Sequence, residues 1–378
     1  MKIKRRDFIK LAGVIGAAAT IELYKPEIKE VFAAAATDYW HICWLHGAAC
    51  SGCTVSFAQA VNPDVVQLLT EIIVGNDTTM VGNQPLGIRL PDYQETLHPA
   101  SGSLLEYLKD TVWANATPGK RILIVEGAMQ DPGYTTVAGK DFRDIVVAAV
   151  KTLGSSDVLI SFGNCGSFGG VPGEYSPLSY STVANNVTGA IGLQKFLNQQ
   201  GLTNVGIAGK AIVAGATCPG HPDHLILTLA DLIQGIVPTL DEYGRPEAFY
   251  QYLMHDNRCP FRPYYDHGQF ALKPGEEGCR YKLGCKGPVT YTDCAIRLWN
   301  DHVSYCVEPG APCIGCAQPT FPDIPGNQGA LYGELPNLPV LLGYSAKDWG
   351  EALVIASAVG VAAHLVIRTV RKPKQEEM

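Results

Sequence analysis

Charge is scarce in this 378-residue sequence: Asp, Glu, Lys and Arg make up 17% of it, against about a quarter in an average soluble domain. With 47% hydrophobic residues alongside, that excludes a low-complexity disordered chain or a highly charged tail. A basic excess is missing too. Against 36 Asp and Glu stand only 29 Lys and Arg, a net charge of −7, which provides no basic face for nucleic acid. Glycine (40), proline (25) and cysteine (12) are plentiful, and the first two foretell much irregular but ordered backbone. At roughly 100–200 residues per domain, the length suggests two domains with a sizeable core.

The two ends read as address and anchor. Lys4-Arg5-Arg6-Asp7-Phe8-Ile9-Lys10 precedes a modestly apolar stretch, Leu11 to Ile21, and the small residues Ala33 to Ala36. This is the three-part layout of an export signal, and its adjacent arginines make residues 1–36 similar to a twin-arginine signal. A basic amphipathic helix is the bland alternative. Without residues 1–36 the chain keeps 22 Lys and Arg against 32 Asp and Glu. At the other end, Ala352 to Ile367 is apolar except for His364 and is followed by Arg368, Arg371, Lys372 and Lys374. Sixteen residues rise only ~24 Å. A transmembrane span over 350–370 therefore recruits Gly350, Thr369 and Val370, while Glu351 and Arg368 snorkel. A buried helix is the alternative; the terminal position and basic tail favour the span and place 371–378 in the cytoplasm. His364 is either a packed polar residue or a contact to a membrane partner.

Between the ends, strands and helices alternate. Tyr39 to Leu45, Arg121 to Glu126, Val158 to Phe162 and Ala211 to Ala214 read as strands. Val55 to Ile73, Phe142 to Leu153 and His224 to Ile236 read as helices. Such βαβ order predicts a parallel, doubly wound sheet, whose ligands bind at the carboxyl ends of the strands. The cysteines sit there. Cys50 and Cys53 follow the first strand, Cys165 the third and Cys218 the fourth. Alone, Cys50-Ser51-Gly52-Cys53 reads equally well as a redox motif, but two further thiols on the same rim favour a four-thiolate metal site. Zinc and iron–sulfur both accept four thiolates, so ligand type does not choose between them.

From about Tyr243 the alternation stops, and a Pro-, Gly- and aromatic-rich stretch runs to Tyr344 with seven cysteines. With little periodicity to build a core, ordering by metal is the natural reading. His255, Cys259, Cys279 and Cys285 come first, then Cys294, Cys306, Cys313 and Cys316: eight candidate ligands, more than one zinc requires. A disulfide framework, the default for an exported chain with an even cysteine count, fits poorly with a chain this large and with clusters this tight.

These residues bring a family into view. Trp44-Leu45-His46-Gly47, Asp92-Tyr93-Gln94-Glu95-Thr96-Leu97, Val125-Glu126-Gly127, Gly163-Asn164-Cys165, Cys218-Pro219-Gly220 and Leu283-Gly284-Cys285-Lys286-Gly287-Pro288 stand as in the small, electron-transferring subunit of the nickel–iron hydrogenases. The chain resembles the exported, membrane-bound kind from signal to C-terminal helix. The resemblance implies an α/β fold: a flavodoxin-like domain over 37–242, an irregular iron–sulfur domain over 243–345 and a transmembrane helix. It implies a proximal cluster on Cys50, Cys53, Cys165 and Cys218, and a distal one on His255, Cys259, Cys279 and Cys285. The medial cluster would take Cys294, Cys313 and Cys316. Most members have proline where Cys306 stands, so a fourth thiolate would complete a third [4Fe-4S] cubane in place of a [3Fe-4S] cluster; a buried thiol beside an unchanged cluster is the alternative.

The spacing of His255 and Cys259, three residues in place of the family's two, leaves a surface histidine as the alternative for His255. Catalysis is implied at a nickel–iron centre of a larger partner subunit, with no catalytic residue in this chain. Glu95 and Glu126 are either interface or proton-path carboxylates or hydrogen-bonded structural ones. Cys43 falls outside every ligand set and reads as a packed strand thiol. The implied acceptor is a membrane b-type cytochrome, with the protein on the outward side of the cytoplasmic membrane. Gly52 and Gly170 stand where oxygen-tolerant members carry extra cysteines, which implies inactivation by air. The rival readings are an iron–sulfur subunit of a related quinone-reducing complex and, more remotely, an exported disulfide-rich binding protein.

Overall fold

A computed structural model describes residues 40–61, 80–81, 84–85, 93–97, 110, 113, 116–173, 186–256, 258–322, 332–335, 340–341 and 344–370. The proposed signal, 1–36, and the basic tail, 371–378, lie outside the described residues. Five strands form one parallel sheet: β1 (His41–His46), β2 (Tyr93–Gln94), β3 (Arg121–Glu126), β4 (Val158–Phe162) and β5 (Ile212–Ala214). Their order across the sheet is β2-β1-β3-β4-β5. The chain leaves β1 toward one edge and returns to pair β3 on its other side, so the crevice beyond the carboxyl ends of β1 and β3 is the topological switch point.

Five helices accompany the strands: α1 (Gly52–Phe57), α2 (Phe142–Val150), α3 (Gly163–Phe168), α4 (Leu193–Gln199) and α5 (Pro222–Ile233). Period-two alternation sends Ile42 and Trp44 of β1, Ile122 and Ile124 of β3, and Ile160 and Phe162 of β4 into one core. There they meet Phe57 of α1 and Leu225, Ile226 and Leu229 of α5. The intervening residues Cys43, Leu45, Leu123, Val125 and Leu159 enter the other core, against α2 and α4. Burial on both sides explains why β3 reads Arg-Ile-Leu-Ile-Val-Glu with no exposed residue. It also accounts for Cys43, which is fully buried in the second core.

Boundaries differ from the sequence reading where caps and turns intervene. Helix α5 begins two residues earlier than the apolar pattern, because His221 accepts the Asp223 N–H at 3.2 Å and Pro222 occupies the first turn. Helix α2 ends at Val150, after which Thr152 and Leu153 close tighter turns onto Ala149 and Val150. Of the expected helix 55–73, the described part is α1, which starts at Gly52; residues 62–73 lie outside the described residues. The strand β2 and the helices α3 and α4 carry no usable periodicity in the sequence.

Between α5 and residue 322 the described chain is mostly short turns: single helical turns at Glu247–Tyr250, Arg262–Asp266 and Cys294–Arg297, and 3-10 turns at Arg280–Leu283 and Gly287–Val289. Half of one small core here is cysteine: Cys285, Cys294 and Cys313 pack with Met254, Tyr305 and Val307. The chain closes on a helix, Ala346–Val370. Its segment Trp349–Arg368 is 20 residues long with mean hydropathy 1.9 and no residue buried. At 1.5 Å per residue that is ~30 Å, the thickness of a bilayer's hydrocarbon core.

Candidate metal centres

The carboxyl rim of the sheet gathers Cys50, Cys53, Cys165 and Cys218. Cys53 lies in the first turn of α1 and Cys165 in the first turn of α3. The Gly220 N–H, two residues past Cys218, donates to Cys53 Sγ at 3.2 Å. Gly163, at φ +79°, lies so close that a Cβ there would come within 2.3 Å of Cys53 Sγ. Gly170, at φ +50°, would bring a Cβ to 2.8 Å from Cys165 Sγ. Both glycines are therefore cradle residues, required by backbone conformation and by the nearby sulfur. Burial, then Glu126, pushes the Cys53 thiol well up, and the charges of Cys165 and Cys218 add to this. Cys165 is pushed up to about 12, by burial first and then by Cys218. Burial, and then the charge of Cys50, also pushes Cys218 up. Buried thiols raised in this way ionise together only around a cation, which is what a metal centre supplies.

Glu126 holds this rim together. Its side chain is 1% exposed. Oε2 accepts Thr54 Oγ1–H at 2.6 Å and Trp44 Nε1–H at 3.1 Å, while Oε1 accepts the backbone N–H of Cys53 at 3.2 Å and of Thr54 at 3.4 Å. It thus ties the end of β3 to the first turn of α1, satisfying donors that a helix start leaves open. Gln94 joins the network by donating to Thr54 Oγ1 at 2.9 Å. Glu95 is held by Tyr93, whose hydroxyl donates to Oε1 at 2.6 Å. Glu126→Ala leaves several buried donors unpaired at about 1–3 kcal/mol each, so a loss of about 3 kcal/mol is expected. In a domain of this size that is a fall of roughly 6–12 °C in the thermal unfolding midpoint. An unchanged midpoint would contradict the anchoring role.

Seven more cysteines form two further groups. Cys306 lies near enough to Cys294, Cys313 and Cys316 for its charge to push each thiol up, after the larger effect of burial. Cys294 and Cys313 are buried, Cys316 partly so, and Cys306 is exposed. In the other group, burial and then the charges of Cys259 and Cys279 push Cys285 up to about 12. His255 is half-buried, and burial with the Arg262 guanidinium lowers its pKa, so the ring is neutral. Nε2 is buried without a partner, and Nδ1 lies 3.2 Å from Arg262. A guanidinium only donates, so Nδ1 accepts here. Ligation through Nε2 would move the ring proton to Nδ1 and require Arg262 to turn fully to Asp266 and Asp256, already at 2.7 and 3.7 Å.

The three groups stand in series. Cys316 lies near enough to Cys218 to feel its charge, and Asn164, beside Cys165, donates to the Cys316 carbonyl at 2.9 Å. On the far side the Cys313 N–H donates to Cys285 Sγ at 3.3 Å. None of the twelve cysteines is joined in a disulfide. Among the described residues, no three Cys, His, Asp or Glu side chains crowd around one point as the ligands of a single ion would.

Sequence reasoning missed the polar network that locks the first two groups together. His224 is fully buried, 2.8 Å from Asp293 Oδ1 and 3.0 Å from the Tyr250 hydroxyl. Arg297 donates to Asp293 at 2.7 Å. His221 reaches the Leu298 carbonyl at 2.7 Å and stacks on His224. The visible signal was only two histidines one helical turn apart after Cys218; their partner, Asp293, lies about seventy residues on, beside Cys294.

Known proteins match this arrangement. The family defined by the C-terminal part of the NiFe/NiFeSe hydrogenase small subunit matches residues 250–326, and the NADH ubiquinone oxidoreductase 20 kDa subunit family matches residues 50–232. Over 97% of its length the chain is 32% identical to the F420 non-reducing hydrogenase I small subunit of Methanosarcina mazei, covering 94% of that protein. The chain belongs to the nickel–iron hydrogenase small subunits. It is also 30% identical to the periplasmic [NiFeSe] hydrogenase small subunit of Desulfomicrobium baculatum, over 85% of this chain and 97% of that one. The solved [NiFeSe] hydrogenase from the same organism superposes with a TM-score of 0.62 at 25% identity, over 78% of this chain and 99% of that chain. As a hydrogenase small subunit the protein is a component of an oxidoreductase, and such subunits pair with a large nickel–iron subunit.

Proposed function

We propose that this protein carries electrons between the partner's nickel–iron centre and a membrane acceptor through three [4Fe-4S] clusters. The observation that carries the reading is the serial contact of three thiol groups. Cys50, Cys53, Cys165 and Cys218 hold the proximal cluster on a flavodoxin-like domain, a reading supported by the strand order β2-β1-β3-β4-β5. Cys294, Cys306, Cys313 and Cys316 hold the medial cluster, and His255, Cys259, Cys279 and Cys285 the distal one. The clusters supply one-electron acceptance and donation, the chemistry by which electrons from dihydrogen oxidised on the partner leave the complex. The chain's own residues supply the rest. They bind the irons, keep the medial and distal groups within the protein, and set each group against the next.

The proximal rim is where the large subunit docks, because Cys50 is exposed there and Val55, two residues past Cys53, and Val171, six past Cys165, are each 52% exposed. The C-terminal helix spans the cytoplasmic membrane and delivers the exit side to a b-type cytochrome. The body faces outward after twin-arginine export. Glycine ligates nothing at 52 and 170, so the proximal centre has no extra thiolate and the enzyme is inactivated by air.

Purification of the chain with whatever binds it, followed by metal analysis and hydrogen-dependent dye reduction, tests the reading. About twelve irons per chain, nickel in the complex and dye reduction that is lost in air are expected. Iron without nickel or hydrogen-dependent reduction would favour a quinone-reducing relative. Sustained hydrogen oxidation under oxygen would overturn the proximal-centre reading.

A further inference from the structure

The distal and medial groups meet at one side chain that no ligand set uses. Tyr305 directly precedes Cys306, and its ring is 2% exposed, packed with Cys285, Cys294 and Cys313. Its hydroxyl lies 3.4 Å from Cys259 Sγ. We infer that Tyr305 is a positioning residue for the electron exit: its O–H donates to the Cys259 sulfur and raises the potential of the distal centre relative to the medial one. The inference rests on the cluster reading above.

Chemistry sets the direction of that hydrogen bond. An iron-bound Cys259 carries no proton, so only the phenol can donate. A phenol, with an ordinary pKa of about 10, keeps its proton at neutral pH. Reduction puts one more electron on the cluster and makes its sulfurs better acceptors. A donor fixed 3.4 Å away therefore favours the reduced state, in line with the dependence of cluster potentials on hydrogen bonds to sulfur. Tyrosine itself is neither oxidised nor deprotonated; one electron is lost at the medial centre and one is gained at the distal centre. Backbone N–H groups of Phe261 and Arg262 also reach Cys259, so the phenol is one donor of several and its share is moderate.

Tyr305→Phe keeps the ring and removes only the donor. In the complex with its partner subunit, redox titration followed by electron paramagnetic resonance should show the distal couple at lower potential. A five- to tenfold change in its equilibrium constant is expected, ~40–60 mV for a one-electron couple. In the unmodified complex, pulsed resonance on the reduced distal cluster after transfer to deuterated water should show a coupled exchangeable deuteron, and this measurement stands if the variant folds poorly. A distal potential unchanged within twofold, with full iron content, overturns the inference and leaves the cluster reading intact. So does a reduced cluster in the unmodified protein whose deuteron couplings are unchanged in Tyr305→Phe. Iron far below about twelve per chain in the unmodified complex overturns the cluster reading, and this inference with it.

Discussion

Replacing Cys306 with proline should create a three-iron paramagnetic signal that the anaerobically oxidised, unmodified complex lacks. Oxidised three-iron clusters are paramagnetic and oxidised low-potential cubanes are not, so the change is from near zero to a full signal. Cys306 is the exposed member of a group in which its charge reaches Cys294, Cys313 and Cys316. On the proposed reading a thiolate there would hold the corner iron, and without it that iron would have no protein ligand. The extra negative ligand also lowers the medial potential, so the variant should show a higher one. Cys306→Ala should give the same signal without constraining the backbone. A full three-iron signal in undamaged, unmodified protein would refute the fourth thiolate.

Truncation after about Tyr344 should release the protein from membranes, whereas the full chain should withstand a salt wash and yield only to detergent. Leu353, Val354, Ile355, Val359, Val361 and Leu365 are each more than half exposed on the C-terminal helix. Covering one such side chain is worth roughly 1.5–3 kcal/mol, so lipid burial of the set amounts to about 10 kcal/mol or more. Salt screens charge and leaves that term untouched. The truncated complex should keep its iron and its hydrogen-dependent dye reduction, because the proposed ligand groups lie before residue 345. Release of the full-length chain by salt alone would count against the span.

Read along the chain, local chemistry already determined four of the five sheet strands, the twelve thiols and the apolar terminal helix. Strands β3 and β4 were legible to the residue because burial on both faces leaves an unbroken apolar run, and a terminal run of apolar residues needs no partner to be recognised. Cysteine positions beyond strand ends already pointed to one rim. Short elements were hidden: β2 is two residues long, and α3 reads Gly-Asn-Cys-Gly-Ser-Phe, whose helical state depends on packing in the crevice between neighbouring strands. Only the tertiary structure decided what each polar group does. Glu126 became an anchor because Trp44 and Thr54, more than seventy residues away in sequence, converge on its two oxygens. Tyr305 and Cys259, and His224 and Asp293, likewise meet across long stretches of irregular chain. Periodicity reports which face of an element is buried; it carries no information about which distant side chain will be waiting there.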